Sequence, residues 1–184
     1  VLFYPWADKV SVSKEEKRNI ILYWGYMSIA LDYEKIEEMA NQIQNSALDF
    51  SILLVGPVAS NVENRVGRLV ADYECINIMP ATDLSNIETQ RVLFGIELIS
   101  PTFDNAKQLE FPNKGPRLLS YGIPLVYSGC DLLPCRFFIR YQGNFSKIVH
   151  DIAVASNEIS SAIDYYFIEN NSGTRLNDLR GLID

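Results

Sequence analysis

Residues 19–57 read NIILYWGYMSIALDYEKIEEMANQIQNSALDFSILLVGP, and this stretch decides the fold class. Its first six residues form a nearly unbroken apolar run closed by Gly25, the pattern of a strand covered on both faces. Asp32 stands where it can cap a following helix, in which Ile36, Met39, Ala40 and Ile43 recur at helical spacing while Glu34, Lys35, Glu37 and Glu38 point elsewhere. Residues 50–55, FSILLV, are a second apolar run ended by Gly56-Pro57. Strand, amphipathic helix and strand make a βαβ unit, and the two strands of such a unit lie parallel.

The alternation continues outward. Residues 75–79 (CINIM) predict a third strand ended by Pro80, residues 94–99 (FGIELI) a fourth ended by Ser100-Pro101, and residues 124–127 and 136–140 a fifth and a sixth. Residues 60–73 read as a short helix with Val62, Val66, Leu69 and Val70 facing inward. A helix is expected after Asn144 through about residue 160, and residues 162–184 read as one or two further helices broken at Asn171-Ser172-Gly173. The expectation is an α/β, Rossmann-like, doubly wound and mostly parallel six-stranded sheet with helices on both faces. Residues 100–113 carry no clear period, and irregular connections of that length inside compact domains are usually functional or mobile.

Composition narrows the function. The 184 residues hold 48% apolar side chains, 11% aromatics and 21% charged ones, enough apolar content for a sizeable core and against a disordered chain. Sixteen Lys and Arg against 23 Asp and Glu give a net charge of −7, which speaks against nucleic acid as a partner, because that affinity comes from basic side chains that neutralise phosphates. No apolar stretch is long enough to cross a bilayer and no secretory signal is visible, so a cytoplasmic location is the default. Cys75, Cys130 and Cys135 lack the paired spacing of a zinc ribbon and read as reduced thiols. The chain begins with Val1, which reads as a piece of a longer protein. Residues 1–18 then form a linker or N-terminal extension and residues 19–184 the domain.

Several chemistries find no support. His150 is the only histidine, and its place in the helix after Asn144 reads as a surface position, so a histidine-assisted nucleophile has no good candidate. Neither HExxH nor an EF-hand loop occurs, and no metal ligand set is expected. A P-loop ending in GK[ST] and a GxGxxG after the first strand are both missing. In doubly wound sheets ligands bind beyond the carboxyl ends of the strands, so the turns there carry the search. Gly25-Tyr26-Met27-Ser28 follows the first strand, where a glycine permits close backbone approach and amide groups can face a phosphate. Ser100-Pro101-Thr102 follows the fourth. Asn113 is a good N-cap for a helix with Pro116 in its first turn, and Lys114 and Arg117 put cations where the helix dipole disfavours them. Two such cations are explained by a shared anion or by solvation at a surface helix start.

Pro112-Asn113-Lys114, Leu118-Leu119 and Gly122-Ile123-Pro124-Leu125-Val126 resemble the pattern P-x-K-…-E-Y-…-A-x-G-x-P-V-V of the C-terminal domain of GT-B glycosyltransferases, with the Lys to Gly-x-Pro spacing preserved. Tyr23-Trp24-Gly25-Tyr26, Leu53-Leu54-Val55-Gly56-Pro57 and Asn77-Ile78-Met79-Pro80 resemble its first three strands and their turns. Glu169-Asn170-Asn171-Ser172 with Arg175 resembles its E-N-S-W segment. The resemblance implies the donor-binding domain of an enzyme that moves a sugar from a nucleoside diphosphate sugar, UDP-sugar favoured, to a polysaccharide or lipid-linked acceptor, without a required metal and with no further cofactor. It implies that Lys114 contacts the donor diphosphate, with Arg117, Gly25, Tyr26 and Met27 beside it, and that Ser100, Asn113, Asp104 and Glu110 are further donor contacts. The partner it implies is an N-terminal acceptor-binding domain of the same chain, which carries the catalytic base and any association with the inner face of a membrane, so this domain alone is expected to be inactive. Two departures stand out: Arg117 replaces the glutamate that binds the nucleotide ribose, and Gly173 replaces the tryptophan of the E-N-S-W segment. The alternatives are a noncatalytic domain of this fold class that binds a phosphorylated ligand or a protein, and a sugar-nucleotide epimerase built on the GT-B fold.

Overall fold

The computed structural model describes residues 7–12, 17–46, 48–103 and 112–174. Strands β1 (Ile20–Trp24), β2 (Ser51–Val55), β3 (Ile76–Met79), β4 (Val92–Leu98), β5 (Leu125–Ser128) and β6 (Phe138–Arg140) form one sheet in the order β3-β2-β1-β4-β5-β6. Every pairing is parallel. The register of the first unit sets Ile20 beside Ser51, Leu22 beside Leu53 and Trp24 beside Val55.

Helices α1 (Tyr33–Asn45), α2 (Glu63–Asp72), α3 (Gly115–Ser120), α4 (Phe145–Val154) and α5 (Ser156–Glu169) cover the sheet. Asp32 caps α1 as its position suggests, its carboxylate accepting the Lys35 N–H at 3.1 Å. The apolar stripe of α1 goes into the core, with Tyr33, Ile36, Met39, Ala40 and Ile43 buried. In α2 Val66 and Leu69 are buried, whereas Val70 is only half-buried.

Neighbouring residues of β4 show that both faces are covered. Phe94 meets Phe145 of α4 with ring centroids 6.4 Å apart, and Phe145 meets Phe50 edge-on at 5.3 Å. Gly95 faces the other way, where an added Cβ would stand 2.9 Å from Leu118 of α3. Successive side chains of a strand point to opposite faces, so α4 and α3 lie on opposite sides of the sheet.

Two sequence-based expectations need correction. Asn113 does not cap α3: the N-cap is Lys114, in helical geometry and with no side chain capping the helix amides, and Asn113 is exposed. The turn before α3 is instead closed by the backbone, through the Gly115 N–H to Pro112 O at 2.8 Å. The single helix expected through about residue 160 breaks at Ala155. Among the described elements α4 contacts α1, while α5 contacts α3 on the other face, and one straight helix cannot reach both.

Candidate functional site

The strand order reverses between β1 and β4, the switch point at which doubly wound sheets open a crevice beyond the carboxyl ends of their strands. Gly25 and Lys114 both stand there. Gly25 lies directly against the lysine: an added Cβ would stand in ordinary contact, 3.6 Å from Lys114 Nζ and 3.5 Å from the Tyr23 hydroxyl. Lys114 Nζ is 2.9 Å from Glu97 Oε2 of β4 and 4.2 Å from the centroid of the Tyr23 ring. Both side chains of the ion pair are largely buried, with 16% and 15% exposed. Glu97 Oε2 accepts no hydrogen bond of ordinary geometry, so the lysine charge is its main compensation.

Tyr23 completes this cluster. Its hydroxyl donates to Tyr26 O at 2.8 Å, and burial followed by the Glu97 carboxylate raises its pKa well above the ordinary tyrosine value, which keeps it protonated. Lys114 is thereby held between a carboxylate and an aromatic face at the wall of the crevice.

The crevice has two lobes. One of about 280 Å³ is lined mainly by apolar groups, among them Trp24, Pro57 and Ala81, with Gly25 and Lys114 at its edge. The Trp24 indole is fixed there by donating Nε1–H to Thr82 O at 2.8 Å. The other, of about 190 Å³, is more polar and presents Ser28 and Glu97 between Tyr23 and Phe103. Tyr26 lines both lobes and is 58% exposed, so it stands as the partition between them.

Other residues singled out in the sequence fall differently. The Gly25 N–H donates to Val55 O and the Met27 N–H to Pro57 O, both at 2.9 Å, so neither amide faces the crevice as a free donor. Met27 itself is a core residue. This close pairing of the two strand-end turns requires Gly56, whose φ is +142° and whose added Cβ would stand 1.9 Å from Gly25 O. Arg117 does not join Lys114: its guanidinium bonds both carboxylate oxygens of Asp83 at 3.2 Å and leans over the Tyr121 ring at 5.7 Å, half-exposed. The Ser100 hydroxyl pairs with Thr102 at 2.8 Å and its N–H donates to Ala30 O, and Ser100 lines neither lobe of the crevice. Asp104 and Glu110 lie outside the described residues. His150 is exposed on α4.

The helix end is weaker than its sequence promised. Helix α3 has six residues, its Gly115 N–H is spent on Pro112 O, and Pro116 has none to offer. The cation at the crevice is the Lys114 ammonium, paired with Glu97, and a helix dipole adds little to it. Glu97 was not singled out in the sequence, although one carboxylate inside the apolar run FGIELI was the available signal, because a buried charge requires a partner. Among the described residues no three His, Cys, Asp or Glu side chains converge as a metal site. No described helix is long and apolar enough to cross a membrane.

No protein-family model and no curated protein sequence matches the chain. Solved structures do. The GtfA/B complex superposes with a TM-score of 0.69 at 11% identity, over 97% of this chain and 38% of that one. The lipopolysaccharide outer core galactosyltransferase WaaB in its apo form gives 0.62 at 15% identity, over 98% and 54%. HepE of Anabaena, in complex with UDP and glucose, gives 0.63 at 10% identity, over 90% and 48%. The chain thus spans about half or less of the length of these structures. At such identities the likeness concerns the fold, and it agrees with the strand order and switch-point crevice above: the chain has the fold of the C-terminal Rossmann-like domain of GT-B glycosyltransferases.

Proposed function

We propose that this chain is the donor-binding domain of a glycosyltransferase that transfers a sugar from a nucleoside diphosphate sugar, a UDP-sugar by preference, to a polysaccharide or lipid-linked acceptor. The observation that carries the reading is the largely buried Lys114 ammonium at the switch point, beside the bare Cα of Gly25. The apolar lobe next to it takes the nucleoside, with the Trp24 and Pro57 surfaces against the base. The diphosphate lies along Gly25 against Lys114, and the sugar extends past Tyr26 into the polar lobe where Ser28 and Glu97 meet its hydroxyls. HepE, bound to UDP and glucose, supports the choice of nucleotide.

The chemistry follows from charge. As the bond from sugar to diphosphate breaks, negative charge accumulates on the departing oxygens, and a cation already fixed at that place stabilises it without reorganisation. Lys114 takes up that position when the donor binds, exchanging Glu97 for the phosphates beside the Tyr23 ring, so the cation is in place before the bond breaks. The reading takes Lys114 as sufficient counter-charge without a required metal. Arg117, held by Asp83, is a secondary cation at the rim. The acceptor and the catalytic base are supplied by another domain of the same protein, which makes this domain inactive by itself and carries any contact with a membrane.

Titrating the protein with UDP, GDP, ADP and their sugar conjugates, followed by amide shifts in NMR spectra, tests this reading. Saturable shifts around Gly25, Tyr26 and Lys114 with UDP, lost in Lys114→Ala, are the expected result. Equal shifts in wild type and Lys114→Ala, or no shift at millimolar nucleotide, overturn it and favour a noncatalytic binding domain.

A further inference from the structure

The polar lobe of the crevice carries charge of one sign. Tyr23, Tyr26, Ser28 and Phe103 line it with neutral groups, and Glu97 is the one ionised side chain among its described lining residues. Lys114 belongs to the apolar lobe, although its ammonium reaches Glu97 Oε2 at 2.9 Å. When a nucleotide donor binds as proposed, Lys114 goes to the diphosphate, and the carboxylate stays at the wall of the sugar lobe without its cation. No described Lys or Arg lines that lobe to replace it.

The surroundings add charge of the same sign. Leu31 lines both the polar lobe and a neighbouring concavity, where the Asp32 and Glu34 carboxylates stand with one guanidinium, that of Arg65. Arg65 is paired with Glu34 at 3.8 Å, which leaves Asp32 with no side-chain cation among the described residues of that wall. The field of Glu97 reaches groups beyond the lobe. After burial, its carboxylate is the next cause that raises the pKa of the Tyr23 hydroxyl and of the Cys130 thiol.

We infer that Glu97 makes this lobe select neutral donor sugars and turn away anionic ones such as uronic acids. The inference rests on the crevice being a nucleotide-sugar site, and it names which donors that site takes. It needs no contact between Glu97 and the sugar, because repulsion between like charges acts through space. A lobe of about 190 Å³ keeps the groups of its occupant within one Debye length of the carboxylate, about 10 Å at 0.1 M salt. Glu97 is only 15% exposed, so solvent screens it less than a surface carboxylate. Discrimination of this kind works by repelling the wrong ligand as much as by holding the right one. A neutral hexose meets no such repulsion, and its hydroxyls are donors suited to a carboxylate.

UDP-glucose and UDP-glucuronate test the inference, since they differ at one exocyclic carbon, a CH2OH group in the first and a carboxylate in the second. Calorimetric affinities of both, and of UDP itself, are compared between wild type and Glu97→Gln. The wild type is expected to bind UDP-glucose about tenfold more tightly than UDP-glucuronate at low salt, and Glu97→Gln to bring the ratio to about threefold or less. The wild-type ratio is also expected to fall as salt rises, which a steric cause would not produce, and this series stands even where the variant melts too low to titrate. A wild-type ratio below about threefold, a ratio that Glu97→Gln leaves unchanged, or a ratio indifferent to salt overturns the inference. UDP keeps the two claims apart. Binding of UDP with equal affinity for the two sugar nucleotides overturns the selectivity alone, whereas no binding of UDP overturns the donor site and the selectivity with it.

Discussion

Replacing Glu97 by Gln probes the electrostatics of the crevice from two directions. In the wild type the Glu97 carboxylate lies 2.9 Å from Lys114 Nζ and neutralises it. A phosphate oxygen bound on the opposite side of that ammonium stands roughly 5.5 Å from the carboxylate. At an effective dielectric constant of about 20 two unit charges at that distance repel by about 3 kcal/mol, and solvent and salt in the open crevice reduce this to about 1.5 kcal/mol. Glu97→Gln removes the repulsion, so UDP is expected to bind about tenfold more tightly. The same change leaves Lys114, 16% exposed, without its counter-charge. Breaking a buried pair costs about 3–5 kcal/mol, but the Gln carbonyl still accepts from the ammonium and the Tyr23 ring remains, which brings the expected loss to about 2 kcal/mol. For a chain of this size that corresponds to a melting temperature lower by about 4–8 °C. Calorimetric titration with UDP and a thermal melt read the two effects. A variant that melts lower and binds UDP no more tightly than the wild type would refute the reasoning, because Glu97 would then not compete with the phosphates for Lys114.

Lys114→Ala is expected to weaken UDP binding by about 10- to 100-fold, the worth of a charge-assisted hydrogen bond, whereas Arg117→Ala changes it by no more than a few fold, since Arg117 is engaged by Asp83; calorimetric affinities for both variants check this. Gly56→Ala drives a methyl to within 1.9 Å of Gly25 O at a φ of +142°, so a loss of more than about 3 kcal/mol is expected by urea denaturation, and a loss below 1 kcal/mol would mean that the two turns part easily. Burial raises Tyr33 and Tyr141 to about 12 and Cys130 to about 11. The folded chain therefore holds these protons when the unfolded chain, with ordinary values near 10 and 8.5, has released them. Their contribution to stability is complete below those ordinary values and is lost as pH rises through about 11 to 12, so urea midpoints are expected to fall steadily above about pH 9.

Much of the fold was legible because its determinants are local. The apolar runs at residues 20–24 and 52–55 mark strands covered by helices, and Asp32 with its apolar stripe marks α1, so the first βαβ unit appears where the sequence places it. The break at Ala155 was not legible, because it is set by the need of α4 and α5 to reach opposite faces, a demand of the assembled sheet rather than of the residues there. Asn113 misled for a related reason: it carries the right side chain for a cap, yet a backbone turn from Pro112 to Gly115 already closes that end.

At the site, the sequence pointed to Gly25 and Lys114, and the fold brings them within contact distance of each other. It did not pair Lys114 with Glu97 or separate it from Arg117, since both outcomes depend on how β4 and the β3–β4 connection converge on α3 across the sheet. Nor did it anticipate that the Gly25 and Met27 amides would be consumed by β2 and its turn, which is why the proposed anion contact rests on the ammonium rather than on the backbone.

The most direct test of the central claim is a crystal structure of the protein with UDP bound, read for one distance. The account predicts a diphosphate oxygen within hydrogen-bond reach of Lys114 Nζ, beside Gly25, with the 2.9 Å contact to Glu97 opened. UDP seated away from the β1/β4 switch point, or UDP in the crevice with Lys114 still closed on Glu97, would contradict it.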